Sequence, residues 1–269
     1  VNNKIILYII LIVFSLSLSG CRENASRTDV PSEDKKAKQM LQGIWRNAET
    51  EDVVFKVSGD TIYYPDSLAQ PVAFKIVDDS LFLIGDFVTK YKIEKQQPHL
   101  FVFRNESNET VKLQLVDDAE DVSTTIFKPA KPVTLNQNKR IKNDTVVIVN
   151  NNRYHCYTQV NPSTYKVYYK NYNPDGVAVE RIYYDNSVYV GIFQGNTKRY
   201  SHEFHKQEFA KYLPKQYQKS GILSEIQLEK VDGDGFHYVA SICQPDESVS
   251  FVLGIDISFN GRANIHILD

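Results

Sequence analysis

Apolar and polar residues alternate in short runs along most of this chain. In VVFKV (53–57), Val53, Phe55 and Val57 share one face, and in TVKLQLV (110–116) Leu113 and Leu115 share another. That period of two marks half-buried strands. Further runs are IW (44–45), TIYY (61–64), VAFKIV (72–77), LFLIG (81–85), FVTKYKI (87–93) and LFVFR (100–104). SGD, PDSLAQP, DD, KQQP and NESNE separate them with turn-forming residues. Eight short strands at this spacing predict a small antiparallel barrel or sandwich over residues 39–127.

KPAKPVTLNQNKRIKND (128–144) holds prolines and basic residues without aromatics, and reads as a linker. Strand patterns resume in TVVIV (145–149), YHCYTQV (154–160), TYKVYYKNY (164–172), VAVERIYYD (177–185) and SVYVGIF (187–193). One amphipathic helix is expected from His202 to Tyr217, with Phe209, Tyr212 and Leu213 facing one way. A meander closes the chain, with turns at DGDG, QPDES and Asn260-Gly261. The fold class is therefore mainly β: a small barrel or sandwich, then an α+β domain over 145–269 with a mostly antiparallel sheet and one helix.

The first residues have another pattern. Lys4 precedes an apolar run from Ile5 to Phe14, and small and hydroxyl residues follow it up to Cys21. A charged start, an apolar centre and a small-residue end predict a signal peptide over residues 1–20. The apolar part is shorter than the roughly 20 residues that cross a bilayer. Val1 at the start, with Met40 the single methionine, is expected where a valine start codon is read literally and the leader is whole. Leu18-Ser19-Gly20-Cys21 resembles the lipobox of bacterial lipoproteins. That resemblance implies a lipid-modified Cys21 as the mature N-terminus and anchorage to membrane. Residues 21–38 are polar and expected to form a flexible tether. Arg22 and Glu23, with no aspartate behind the cysteine, favour the outer membrane, facing periplasm or cell surface.

Gly43-Ile44-Trp45 resembles the G-x-W at the first strand of lipocalin-like barrels, where the tryptophan plugs one end. The family often binds small apolar ligands. With strands this short, the interior is expected to be filled by its own side chains rather than to hold an open cavity. The whole plan resembles the two-domain lipoproteins of Bacteroides-type bacteria, a resemblance that carries over no catalytic residues.

Charge adds an exclusion. The 31 basic and 33 acidic residues are mixed along the chain, so nucleic acid is not an expected partner. Seventeen tyrosines and fourteen phenylalanines agree with β-structure. Tyr168, Tyr169, Tyr172, Tyr183, Tyr184 and Tyr189 fall on neighbouring strands. Adjacent tyrosines point to opposite sheet faces, so some are candidates for a binding surface.

Other chemistry is thin. His202 and His205 sit three apart with Glu203 between, short of the two-histidine spacing of zinc peptidases. A metal-dependent hydrolase using them is the runner-up function. Asp232-Gly233-Asp234-Gly235 reads as a hairpin turn rather than a calcium loop. No G-x-S-x-G elbow or phosphate loop occurs, and no cofactor is expected. Cys156 and Cys243 are expected to be either disulfide-bonded or both buried. The leading function is a non-catalytic binding role in the envelope, toward a protein, a glycan or a small apolar ligand.

Overall fold

The computed structural model describes residues 32–117, 126–128, 131–135 and 139–268. The leader, Cys21 and most of the tether lie outside the described residues. From Asp34 onward the chain is one compact unit.

Eight strands come first: β1 (Gly43–Asn47), β2 (Val53–Ser58), β3 (Thr61–Tyr63), β4 (Val72–Val77), β5 (Ser80–Ile84), β6 (Val88–Gln97), β7 (Leu100–Arg104) and β8 (Thr110–Leu115). Each pairs antiparallel with its neighbour in sequence, and β1 pairs with β8 to close a barrel. Alternation drives this, as in β4, where Val72, Phe74 and Ile76 point inward while Ala73 and Lys75 face water. Trp45, Phe55, Phe74, Tyr91, Phe101, Phe103 and Leu113 are almost fully buried in the resulting core.

Helix α1 (Lys35–Met40) lies at the barrel end that carries the β2–β3, β4–β5 and β6–β7 turns. Asp34 caps it, accepting the N–H groups of Lys36 and Ala37 at 3.0 and 2.9 Å. Gln96 of β6 donates to Ala37 O at 2.7 Å. Trp45 Nε1 donates to Leu41 O at 2.8 Å, so the buried indole has its partner.

Two further four-stranded antiparallel sheets follow. The first has the order β12 (Thr197–His205), β11 (Ala178–Gln194), β10 (Asn152–Tyr172), β9 (Ile141–Val149). The second runs β13 (Ile222–Val231), β14 (Phe236–Cys243), β15 (Ser250–Ile257), β16 (Ala263–Ile267). They bury one core between them, with Cys156, Val188, Val190 and Ile192 from one sheet and Phe236, Tyr238, Ala240 and Ile242 from the other.

Four details differ from the sequence reading. Helix α1 starts at Lys35, inside the segment 21–38 read as a flexible tether, and Asp34 N donates to Ile76 O of the barrel at 2.8 Å. Strand β9 starts at Ile141, inside the segment read as linker. The four strands read over 154–193 are two long ones, β10 and β11, because the Pro162 region is a register shift within the pair rather than a turn. The helix expected over 202–217 is also absent as such. His202–His205 ends β12, and Lys206–Phe209 (α2), a 3-10 turn at Ala210–Tyr212 and Lys215–Ser220 (α3) follow. Alternation in SHEFH buries Phe204 as a strand residue. Pro214 then holds Leu213 extended (ψ 139°) and splits what remains.

Beyond the shift, β10 and β11 continue as a two-stranded ribbon whose tip turns at Gly176 (φ 69°). The tip enters the barrel end opposite α1, and Val177, Ala178 and Val179 belong to the barrel core.

Candidate binding face

The barrel is filled and stoppered. Glu180 of β11, 4% exposed, accepts hydrogen bonds from Gln70 Nε2 and from the backbone N–H groups of Asp86 and Phe87. Ala178 N donates to Tyr91 Oη inside the barrel at 2.7 Å. The void beside Tyr64, Thr89 and Glu180 measures about 10 Å³, room for one water.

Three of the tyrosines singled out by sequence hold the ribbon to its neighbours, Tyr172 to the barrel and Tyr169 and Tyr183 to the β14–β15 loop. Tyr183 is buried and donates to Asp246 at 3.2 Å; burial, then the Asp246 charge, pushes its phenol up to about 12. Tyr169 donates to Glu247 and Tyr172 to Glu106. Arg181 joins the barrel to the second sheet's loop through Asp66 and Asp246, each at 2.9 Å. Tyr168 and Tyr184 are half-buried on the same ribbon. Tyr172 is exposed at the rim of a 370 Å³ groove where ribbon meets barrel. The cation lining that groove, Arg181, is already held by two carboxylates.

The structure does not bring His202 and His205 together. Three residues apart on a strand, they point to opposite faces. His202 Nε2 meets Glu208 at 2.8 Å, and the backbone N–H of His205 donates to the same carboxylate at 2.8 Å. Among the described residues, no group of three or more His, Cys, Asp and Glu side chains is placed to hold a metal.

Both cysteines are free. Cys156 faces Tyr238 across the sandwich, and Cys243 lies five residues further along β14. That is about 17 Å at strand rise, beyond disulfide reach. Cys156 is buried and Cys243 half-buried, so the expectation that both are buried is met at Cys156 and not at Cys243. Burial pushes both thiols up.

The outer face of the β12–β11–β10–β9 sheet has a different character. His155, Tyr157 and Gln159 of β10 share it with Tyr189, Gly191 and Phe193 of β11. Register places Tyr157 opposite Gly191, His155 opposite Phe193 and Gln159 opposite Tyr189. A Cβ on Gly191 would meet the rings of both Tyr189 and Phe193 at 2.9 Å. The two rings lean over the glycine from either side, which explains a glycine inside a strand. Tyr157 and Tyr189 have centroids 6.1 Å apart, and His155 and Phe193 are 6.3 Å apart. The result is a half-buried aromatic platform. Polar groups frame it: Tyr157 Oη donates to Gln159, Gln159 to Asn161, Ser187 to Glu203, and His155 pairs with Asp144.

Sequence reasoning found Tyr189 and missed Tyr157, His155 and Phe193. The usable signal was the period of two in YHCYTQV and SVYVGIF, with Gly191 in the second run.

No curated protein matches the chain. A family match spans the ribbon and both sheets and leaves the barrel strands outside it. It covers residues 120–265, just over half of the sequence, and the chain belongs to the family described as Domain of unknown function (DUF4738).

Proposed function

We propose that the chain is a non-catalytic binding lipoprotein of the cell envelope, held at the outer membrane by lipid on Cys21, and that it takes glycan on the outer face of the β12–β11–β10–β9 sheet. The observation that carries the binding reading is the ring arrangement over Gly191. Sugar rings have apolar C–H faces and hydroxyl edges. Tilted aromatic rings over a glycine accept the faces, and the flanking amides of Gln159 and Asn161 and the carboxylate of Glu203 suit the edges. The filled barrel favours a ligand on the surface over a small apolar molecule inside. The lipobox residues of the leader support the anchor.

Affinity electrophoresis of the full-length protein in mild detergent, through gels cast with a β-glucan, a mannan or soluble peptidoglycan fragments, tests the binding. Retardation by one of them that Tyr189→Ala and Phe193→Ala each weaken at least tenfold, without lowering the melting temperature, is expected. Equal mobility in all gels, or retardation untouched by both substitutions, would overturn it. The anchor is tested separately with Cys21→Ala, which should stop incorporation of labelled fatty acid and release the protein from membranes.

A further inference from the structure

Strand β9 is the open edge of the sheet that carries the platform. It pairs with β10 along all of Ile141–Val149 without a register shift. No described residue pairs with its other edge. Ile141, Val146 and Ile148 are 46, 46 and 73% exposed. A long, regular edge strand with exposed apolar residues is a template for another strand, and proteins usually blunt such edges. The other sandwich edges here are blunted. Strand β13 has two register shifts and carries Glu225, Glu229 and Lys230. Strand β16 has five residues, and β12 has a shift and carries Lys198, Arg199 and Glu203. Strand β9 has no proline and no bulge.

We propose that β9 pairs antiparallel with β9 of a second copy of this chain, centred on Asn143. The two charges of the strand select this occupant and this register, in which Ile141–Thr145 of the two copies oppose one another and Val146–Val149 extend past that overlap. Lys142 and Asp144 flank Asn143, are both exposed, and lie on the outer face of the sheet. Centring on Asn143 sets Lys142 of each copy opposite Asp144 of the other, giving two cross-strand ion pairs. Centring on Thr145 instead sets Lys142 against Ile148 and Asp144 against Val146. Asp144 meets His155 through Oδ1, which leaves Oδ2 for the second copy. A two-fold axis normal to the sheet keeps inward residues inward and makes one self-complementary interface. The product is a continuous eight-stranded sheet with both Gly191 platforms on the same side. This pairing does not depend on what the platform binds.

Cysteine cross-linking of the full-length protein in detergent, in a Cys243→Ser background, reads the register. Directly opposed residues have Cα atoms about 4.5–5.5 Å apart, within disulfide range. Asn143→Cys should oxidise to a dimer on a non-reducing gel. Thr145→Cys should not, because its counterpart sits about 13 Å away along the partner strand. Light scattering should give the mass of two chains. Asp144→Lys should lower the dimer fraction about tenfold by opposing like charges twice, and adding Lys142→Asp should restore it. A single-chain mass, cross-linking at 145 in place of 143, pairing with a strand of another protein, or failure of the charge swap to restore the dimer would each overturn the proposal.

Discussion

Glu180, on the ribbon, accepts the backbone N–H of Phe87, in the β5–β6 turn of the barrel, at 2.5 Å. A side chain of the ribbon thereby satisfies main-chain donors of the barrel, with Asp86 N bound to the same carboxylate at 3.0 Å. Glu180→Ala removes the acceptor of three donors, the N–H groups of Asp86 and Phe87 and the Gln70 side-chain amide, in a part-buried seam. The expected cost is about 2–3 kcal/mol, read from urea denaturation. Barrel and sandwich should melt in one transition in the parent protein, since Val177–Val179 belong to the barrel core. A variant as stable as the parent would show that the carboxylate is not what holds the seam.

The barrel could be read from the sequence because its information is local. Short alternating runs and dense turn residues predicted eight strands, and eight are present. Trp45 was expected to plug an end, and it lies fully buried beside Leu41. Docking is not local. Nothing in VAVERIYYD states that Glu180 will meet Phe87, some ninety residues earlier in the chain. Such a pairing exists only once the ribbon is long enough to reach the barrel, and its length was hidden because Pro162 and Asp185-Asn186 resemble turns. The expected helix failed for the opposite reason. An amphipathic pattern from 202 to 217 was real, but SHEFH also alternates, and strand pairing with β11 took it.

The buried pair Asp185 and Lys206 joins the two sheets. Asp185 Oδ1 accepts the N–H groups of Leu223 and Asn186, each at 2.9 Å. Lys206 Nζ donates to Gly221 O at 2.6 Å and sits 4.0 Å from Asp185 Oδ2. Burial pushes the carboxyl up and the amine down, so mutual attraction does not repay the lost hydration of either. Lys206→Ala leaves a buried carboxylate without its cation and opens space, at an expected cost of about 3 kcal/mol. Lys206→Met keeps the stem packed and should cost clearly less than Lys206→Ala. Equal losses from the two in thermal melts would refute the role given to the buried stem.

The cysteines differ in access rather than in bonding. Denatured, unreduced protein should label at both Cys156 and Cys243. In the native state Cys156 sits within the sandwich, and burial keeps its thiol protonated. Its labelling should be slow and should track opening of the sheets, while Cys243 at the end of β14 reacts faster. Mass spectrometry of a timed alkylation series separates the two sites, and equal rates would contradict the packing around Cys156.

His237 gives the fold a pH dependence whose sign can be worked out. On β14 its Nδ1 faces Asp256 Oδ1 at 2.6 Å and its Nε2 faces Asp232 Oδ1 at 2.8 Å. Lys230 reaches Asp232 at 3.1 Å, and His266 of β16 lies 3.4 Å from Asp256. A neutral imidazole donates through one nitrogen, so two carboxylates are both served only by the protonated ring. Partial burial opposes that charge, but the hydrogen bonds to Asp232 and Asp256 outweigh it and raise the His237 pKa above its ordinary value. The hydrogen bond from His237 leads the causes that hold Asp232 well below the usual carboxylate range. A raised histidine stabilises fully below its unfolded pKa of about 6.5, and the contribution fades as pH rises through the folded value. A lowered aspartate stabilises above about pH 3.9 and fades as pH falls through its folded value. Both contributions are complete between those limits, so melting temperature should peak there and decline as pH rises above about 6.5 through the folded value of His237. His237→Gln keeps an amide donor but cannot carry charge, and should remove most of that decline. Parallel pH profiles for parent and variant would sink the assignment, because the slope would then belong to another group.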